Sequence, residues 1–304
     1  MTTAIDPNLP DPESVEVRDA ATIVLLRDAC GRGDRGIEVA MMQRNIDSDF
    51  VGGAYVFPGG AVDPADGEPE SLSVCDGLED RDASGLVGTD TGGLRFWVAV
   101  VREAFEEAGV LLAHHADGRH LVLDADAGER FAVHRRAVDR RERPLWEICR
   151  DEDLRLEADR IHCFARWITP LGGHRRYDTR FFVAAAPPEQ EIAHDDFELV
   201  TSEWIAPGEA LRRQVTGEMV MIFPTVRTLV WLERFDTVDE VLIEAGSRTE
   251  VPAWLPTITP VDGQLRLEIP GDPEGVGGFY DAETGLPLGA GPPAAPGTQS
   301  VLER

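Results

Sequence analysis

The segment spanning residues 94–109 constrains the chain most, because its apolar residues recur with a period of 3.6 and stop at a glycine. At about 100° per residue, Trp97, Val101, Ala104, Phe105 and Ala108 gather on one side, while Arg102, Glu103, Glu106 and Glu107 occupy the other. Gly109 then ends the helix. One face is core and the other carries charge. The 304 residues, 42% of them hydrophobic, can bury a large core as one domain or two small ones.

Around this helix the pattern is that of strands. Residues 21–27 (ATIVLLR) and 37–44 (IEVAMMQR) are short and apolar, and a glycine-rich turn joins them as a hairpin. A third strand, 54–57, runs into Pro58-Gly59-Gly60, where paired glycines permit a close approach of backbone to a ligand. Residues 63–93 are rich in Asp, Gly and Ser and read as a long exposed loop. Residues 114–160 read as a helical insertion carrying Arg135, Arg136, Arg140, Arg141 and Arg143. That arginine-rich stretch is taken as a solvated face, with a lid or homodimer contact as the other readings. Strands follow at 177–186 and 202–207, then helices at 208–217, 224–234 and 238–245. The predicted organisation is a flexible start over 1–16, one catalytic domain over 17–245, and a proline- and glycine-rich extended tail over 246–304.

Charge removes whole classes of function. Acidic residues outnumber basic ones by 56 to 29, and the net charge of −27 argues against binding nucleic acid or an anionic membrane. Every basic residue is an arginine, which excludes Schiff-base chemistry and the lysine of a P-loop. The first 16 residues lack a secretory pattern, and no run approaches the ~20 apolar residues of a membrane helix. Cys30, Cys75, Cys149 and Cys163 show no Cys-x-x-Cys spacing, which fits reduced thiols in the cytoplasm. The seven histidines show no ligand spacing.

Glu103, Glu106 and Glu107 stand at i, i+3 and i+4, so three carboxylates project from neighbouring positions. Alone they would repel, and a hard cation with a diphosphate would make the arrangement favourable. Taken without context, the cluster reads as a solvated acidic face.

The context reverses that reading. Residues 102–110, REAFEEAGV, resemble the second half of the Nudix box, R-E-apolar-x-E-E-x-G-apolar, and Phe57-Pro58-Gly59-Gly60 resembles its entry. The middle departs from the box. Counted forward from Gly60, Asp66 falls where the family has its first glutamate; counted back from Arg102, that place is Leu94, so about 28 extra residues split the two halves. This split, with the runs QRNIDSDFVGGAYVFPGG and RRYDTRFF, is similar to a subgroup related to the peroxisomal coenzyme A diphosphatases, although the chain shows no Ser-Lys-Leu ending.

The resemblance implies an α/β fold, a Nudix-type α/β/α sandwich with a mixed sheet. It implies Mg²⁺ or Mn²⁺ on Glu103, Glu106 and Glu107, with the carbonyl of Gly60 or Ala61 as a further ligand and Arg102 orienting the carboxylates. It also implies hydrolysis of the diphosphate linkage of a small nucleotide substrate, with coenzyme A or an acyl-CoA first. ADP-ribose or NADH is the alternative, and a nucleotide sensor without turnover is the third reading. Glu198 is favoured over Glu203 as the general base. Five residues apart on an extended chain, the two would face opposite ways. Arg44, Arg175, Arg176 and Arg180, together with Gly59 and Gly60, are the expected substrate contacts, since only arginine can counter the phosphates here. Tyr177 is a candidate adenine contact.

Overall fold

A computed structural model describes residues 15–29, 36–46, 52–123, 125–171, 175–194, 199–261, 264–269 and 279–281. Strands β1 (Val17–Asp28) and β2 (Ile37–Arg44) pair antiparallel with Leu26 opposite Val39, as the hairpin reading expects. The short β3 (Tyr55–Val56) pairs with β2, and β4 (Gly59–Ala61) lies antiparallel to residues 20–22 of β1.

Residues 63–93 are not the loop that their composition suggests. They hold a 3-10 turn (Pro64–Gly67), α1 (Pro69–Ser73), β5 (Cys75–Asp76) and α2 (Asp80–Val87). Their order comes from side chains bonding backbone rather than from apolar periodicity. Asp63 accepts the Ala65 amide while Asp66 accepts the Asp63 amide. Asp80 accepts the amides of Gly92 and Leu94 at 2.9 and 3.0 Å, folding the segment back to the start of α3 (Arg95–Ala108).

After α3 come β6 (Ala113–His115), α4 (Ala125–Asp139), α5 (Leu145–Asp151) and β7 (Leu154–Glu157). The insertion is helical through α4 and α5, and its flanking strands β6 and β7 join β5 in a small sheet. Strands β8 (His162–Ile168), β9 (Arg176–Ala185) and β10 (Leu199–Ile205) complete the large sheet, followed by α6 (Pro207–Thr216), α7 (Phe223–Leu232) and α8 (Val238–Gly246). Its order is β10-β2-β1-β9-β8-β11, where β11 is Ala253–Trp254; β1 runs parallel to β9 and antiparallel to β2, so the sheet is mixed.

The alternation of β1 sets the layers. Ala21, Ile23 and Leu25 pack into the cluster containing α3, while Val24 and Leu26 pack into the cluster containing α6, α7 and α8. Both faces are buried, which makes an α/β/α sandwich. Trp97 anchors α3: its indole donates to the Ile161 carbonyl at 2.9 Å and its ring meets the Phe182 edge at 4.8 Å.

The stretch after Gly246, expected as an extended tail, carries further strands. Strand β11 adds to the edge of β8, and β12 (Thr257–Val261), β13 (Gln264–Glu268) and β14 (Phe279–Asp281) form an antiparallel sheet. Leu267 and Ile269, two apart, are buried against the α7 side with Tyr280, whose ring lies 5.1 Å from Phe223. A period of two over so few residues is hidden by the surrounding prolines and glycines. The expected flexible start falls largely outside the described residues, as does everything after residue 281. Among the described residues no helix is long and apolar enough to cross a membrane.

Candidate active site

Helix α3 ends as its sequence requires. Gly109 adopts φ +70°, and the Val110 amide reaches back to the Ala104 carbonyl at 3.2 Å. The charged side of the helix, however, is not solvated: Glu103 and Glu107 are only 7% and 6% exposed. Strand β4 and the turn after it cover them. The Gly59 amide donates to Glu107 Oε2 at 2.7 Å. A Cβ on Gly60 would stand 2.6 Å from Glu103 Oε1, and one on Gly59 would stand 2.5 Å from the Ala21 carbonyl, so both positions need glycine for the close approach.

Arg102 organises the cluster. Its Nη1 donates to Glu103 Oε1 at 2.9 Å and to Glu106 Oε2 at 3.0 Å, while Nε and Nη2 donate to the two oxygens of Asp66 at 2.9 and 3.0 Å. Asp66 is 3% exposed. Asp66, reached by counting forward from Gly60, therefore meets Arg102 of the second half of the box, and residues 67–94 between β4 and α3 loop out with α1, β5 and α2. Nη2 also donates to the Ala61 carbonyl at 3.0 Å.

A cleft of about 760 Å³ opens beside this cluster and is lined by Arg44, Gly59, Gly60, Arg102, Glu103, Glu106 and Glu107 together. Arg175 and Tyr177 line it too. Arg180 does not. On β9 the odd positions Tyr177, Thr179 and Phe181 face the cleft, and the period of two turns Arg180 to the α3 side. There it is 2% exposed, paired with Asp19 at 2.6 Å and Asp178 at 3.2 Å, with its guanidinium 4.2 Å above the Phe96 ring. Arg176 is likewise turned away, donating to the Thr169 carbonyl. Glu203 pairs with Arg213 at 3.0 Å and does not line the cleft; Glu198 lies outside the described residues. Sequence reasoning missed Asp139 and Arg141, which reach the cleft from the end of α4. The run of arginines drew attention to the stretch, but no periodicity distinguished Asp139 within it.

Burial, reinforced by Glu103 and Asp139 and opposed by Arg102, pushes the Glu106 carboxyl up to about 7. Carboxylates kept in such company call for a counter-charge. The donors are all hard oxygens, and the missing side chain at Gly60 admits the Glu103 carboxylate to the cleft beside Glu106 and Glu107, so the residues fit a divalent hard cation. They are not closed into a cage: Glu103 and Glu106 lean to Arg102 and Glu107 to Gly59, and no group of three or more His, Cys, Asp or Glu side chains among the described residues is arranged to hold a metal as it stands.

The profile of the NUDT19 Nudix domain matches residues 79–232, about half of the chain. The chain belongs to the NUDT19 Nudix family. Two relatives of this Nudix hydrolase are named acyl-coenzyme A diphosphatase NUDT19. The one from Gallus gallus is 28% identical, over 84% of this chain and 79% of its own length. The one from Homo sapiens is 29% identical, over 78% and 72%. The crystal structure of a NUDIX hydrolase from Alicyclobacillus acidocaldarius superposes with a TM-score of 0.62 at 24% identity, covering 76% of this chain and 97% of that one, which shows a shared fold. In this Nudix protein, Arg44, Gly59, Gly60 and Asp66 lie ahead of the matched stretch and join it only in space.

Proposed function

We propose that the protein is a Mg²⁺- or Mn²⁺-dependent hydrolase that cleaves the diphosphate linkage of coenzyme A or an acyl-CoA. The observation that carries this reading is the meeting, in one cleft, of the Glu103–Glu106–Glu107 turn with the Gly59–Gly60 bend. The names of the relatives supply the substrate class.

Glu103, Glu106 and Glu107 would hold the cation, which when bound generates the attacking water nucleophile and stabilises the leaving phosphate. Arg102, itself fixed by Asp66, sets Glu103 and Glu106, while the Gly59 amide sets Glu107. Arg44 and Arg175 border the cleft, where they would meet the phosphates, and Tyr177, which also lines it, would meet the adenine. Glu198 and Asp139 are the carboxylates to test as acceptors of the water proton. One water is consumed, giving adenosine 3′,5′-bisphosphate and a 4′-phosphopantetheine product.

A panel of coenzyme A, acyl-CoA, ADP-ribose and NADH, read by product mass, tests this. Cleavage of the coenzyme A compounds is expected, abolished by a chelator and restored by Mg²⁺ or Mn²⁺. Much faster cleavage of ADP-ribose than of any coenzyme A compound overturns the substrate, and hydrolysis that survives complete metal removal overturns the metal.

A further inference from the structure

The last turn of α3 holds two of the three proposed ligands and also the negative end of the helix dipole. Carbonyls there lack partners within the helix. Gly109 and Val110 satisfy those of Phe105 and Ala104. The carbonyls of Glu106 and Glu107 are met from another element: Arg135, in the middle of α4, donates from Nε to Glu106 O at 2.9 Å and from Nη2 to Glu107 O at 3.0 Å. The same Nη2 donates to the Ala193 carbonyl at 2.9 Å, tying in the segment before β10. Gly109 makes room for it, since a Cβ there would lie 3.0 Å from Arg135 Nη1. One helical turn further along α4, on the same face, Asp139 lines the cleft with Glu106.

We propose that Arg135 is a positioning residue for the carboxylate turn, so that the helical insertion is a working part of the catalytic centre. The inference rests on the metal reading above. Two of the three carbonyls that Arg135 holds belong to Glu106 and Glu107, whose side chains would hold the cation, and rotating either peptide would swing its carboxylate with it. The guanidinium also places a positive charge where the helix dipole and three glutamates would otherwise sum.

The test titrates MgCl₂, and separately MnCl₂, against the full chain, reading both the rise in thermal midpoint and the rate of coenzyme A hydrolysis. For Arg135→Gln the half-saturating cation concentration should rise about 10-fold or more in both readouts, the usual effect of losing an outer partner of a metal ligand. The rate at saturating cation should fall less. Arg135→Lys, able to reach one carbonyl, should lie between, and it carries the comparison if Arg135→Gln does not fold. Arg130→Gln, also on α4, which breaks an exposed pair with Glu152 at the end of α5, should leave the half-saturation at the parental value. A lowered midpoint with parental half-saturation in both Arg135 variants overturns the proposal and makes Arg135 merely structural. A parent that responds to neither cation overturns the metal reading and this inference with it.

Discussion

In the acidic turn of α3 Glu103 and Glu106 share Arg102 while Glu107 accepts the Gly59 amide, and that decides what each substitution would do. Glu107 accepts a backbone amide through one oxygen, and a glutamine can accept the same bond. Glu107→Gln should therefore keep its thermal midpoint without cation and lose turnover by orders of magnitude. Near-parental rates would remove Glu107 from the ligand set. Asp66→Ala deletes two charge-assisted bonds to Arg102, which keeps Glu103 and Glu106. The expected loss is about 2 kcal/mol in urea unfolding, together with weaker cation dependence. At this scale Glu103, Glu106, Glu107, Arg102 and the glycine pair were legible because spacing along one helix and one bend carries their geometry. Arg180 was not: composition marked it as a phosphate partner, yet strand pleating turned it to Asp19 and Phe96.

Among the elements, α3 was legible from its period of 3.6, and β1, β2 and β9 from short apolar runs, the first two joined by a glycine-rich turn. The 63–93 segment was not, because its order rests on aspartates that cap and bridge backbone amides, and such bonds leave no repeating pattern in the chain. Gly109 links both kinds of information, ending the helix by its left-handed backbone and admitting Arg135 by its lack of a side chain. Gly109→Ala should cost about 1–2 kcal/mol through the backbone conformation alone. Thermal denaturation measures that cost, and an unchanged midpoint would mean the helix end relaxes freely.

For the molecule as a whole, described residues after 246 pack into the folded body. Leu267 is 6% exposed and Tyr280 1%, both inside the α7-side core, and Pro256 and Leu267 line the cleft. A chain ended at residue 246 should lose stability, with about 1.5–3 kcal/mol for each large apolar side chain removed from cover. Its denaturation midpoint checks this, and a parental midpoint would make the segment an appendage. The amino-acid order alone determined the amphipathic helix, the carboxylates on it, the glycine bend and the family they resemble, because each depends on neighbours within a turn or a strand. Whether the acidic face would be buried, which aspartate would answer Arg102 across the split, which arginines would reach the cleft and that Arg135 of α4 would bond the Glu106 and Glu107 carbonyls were decided only by tertiary structure. Those contacts join residues tens of positions apart, and burial in a shared interior, not spacing along the chain, selects them.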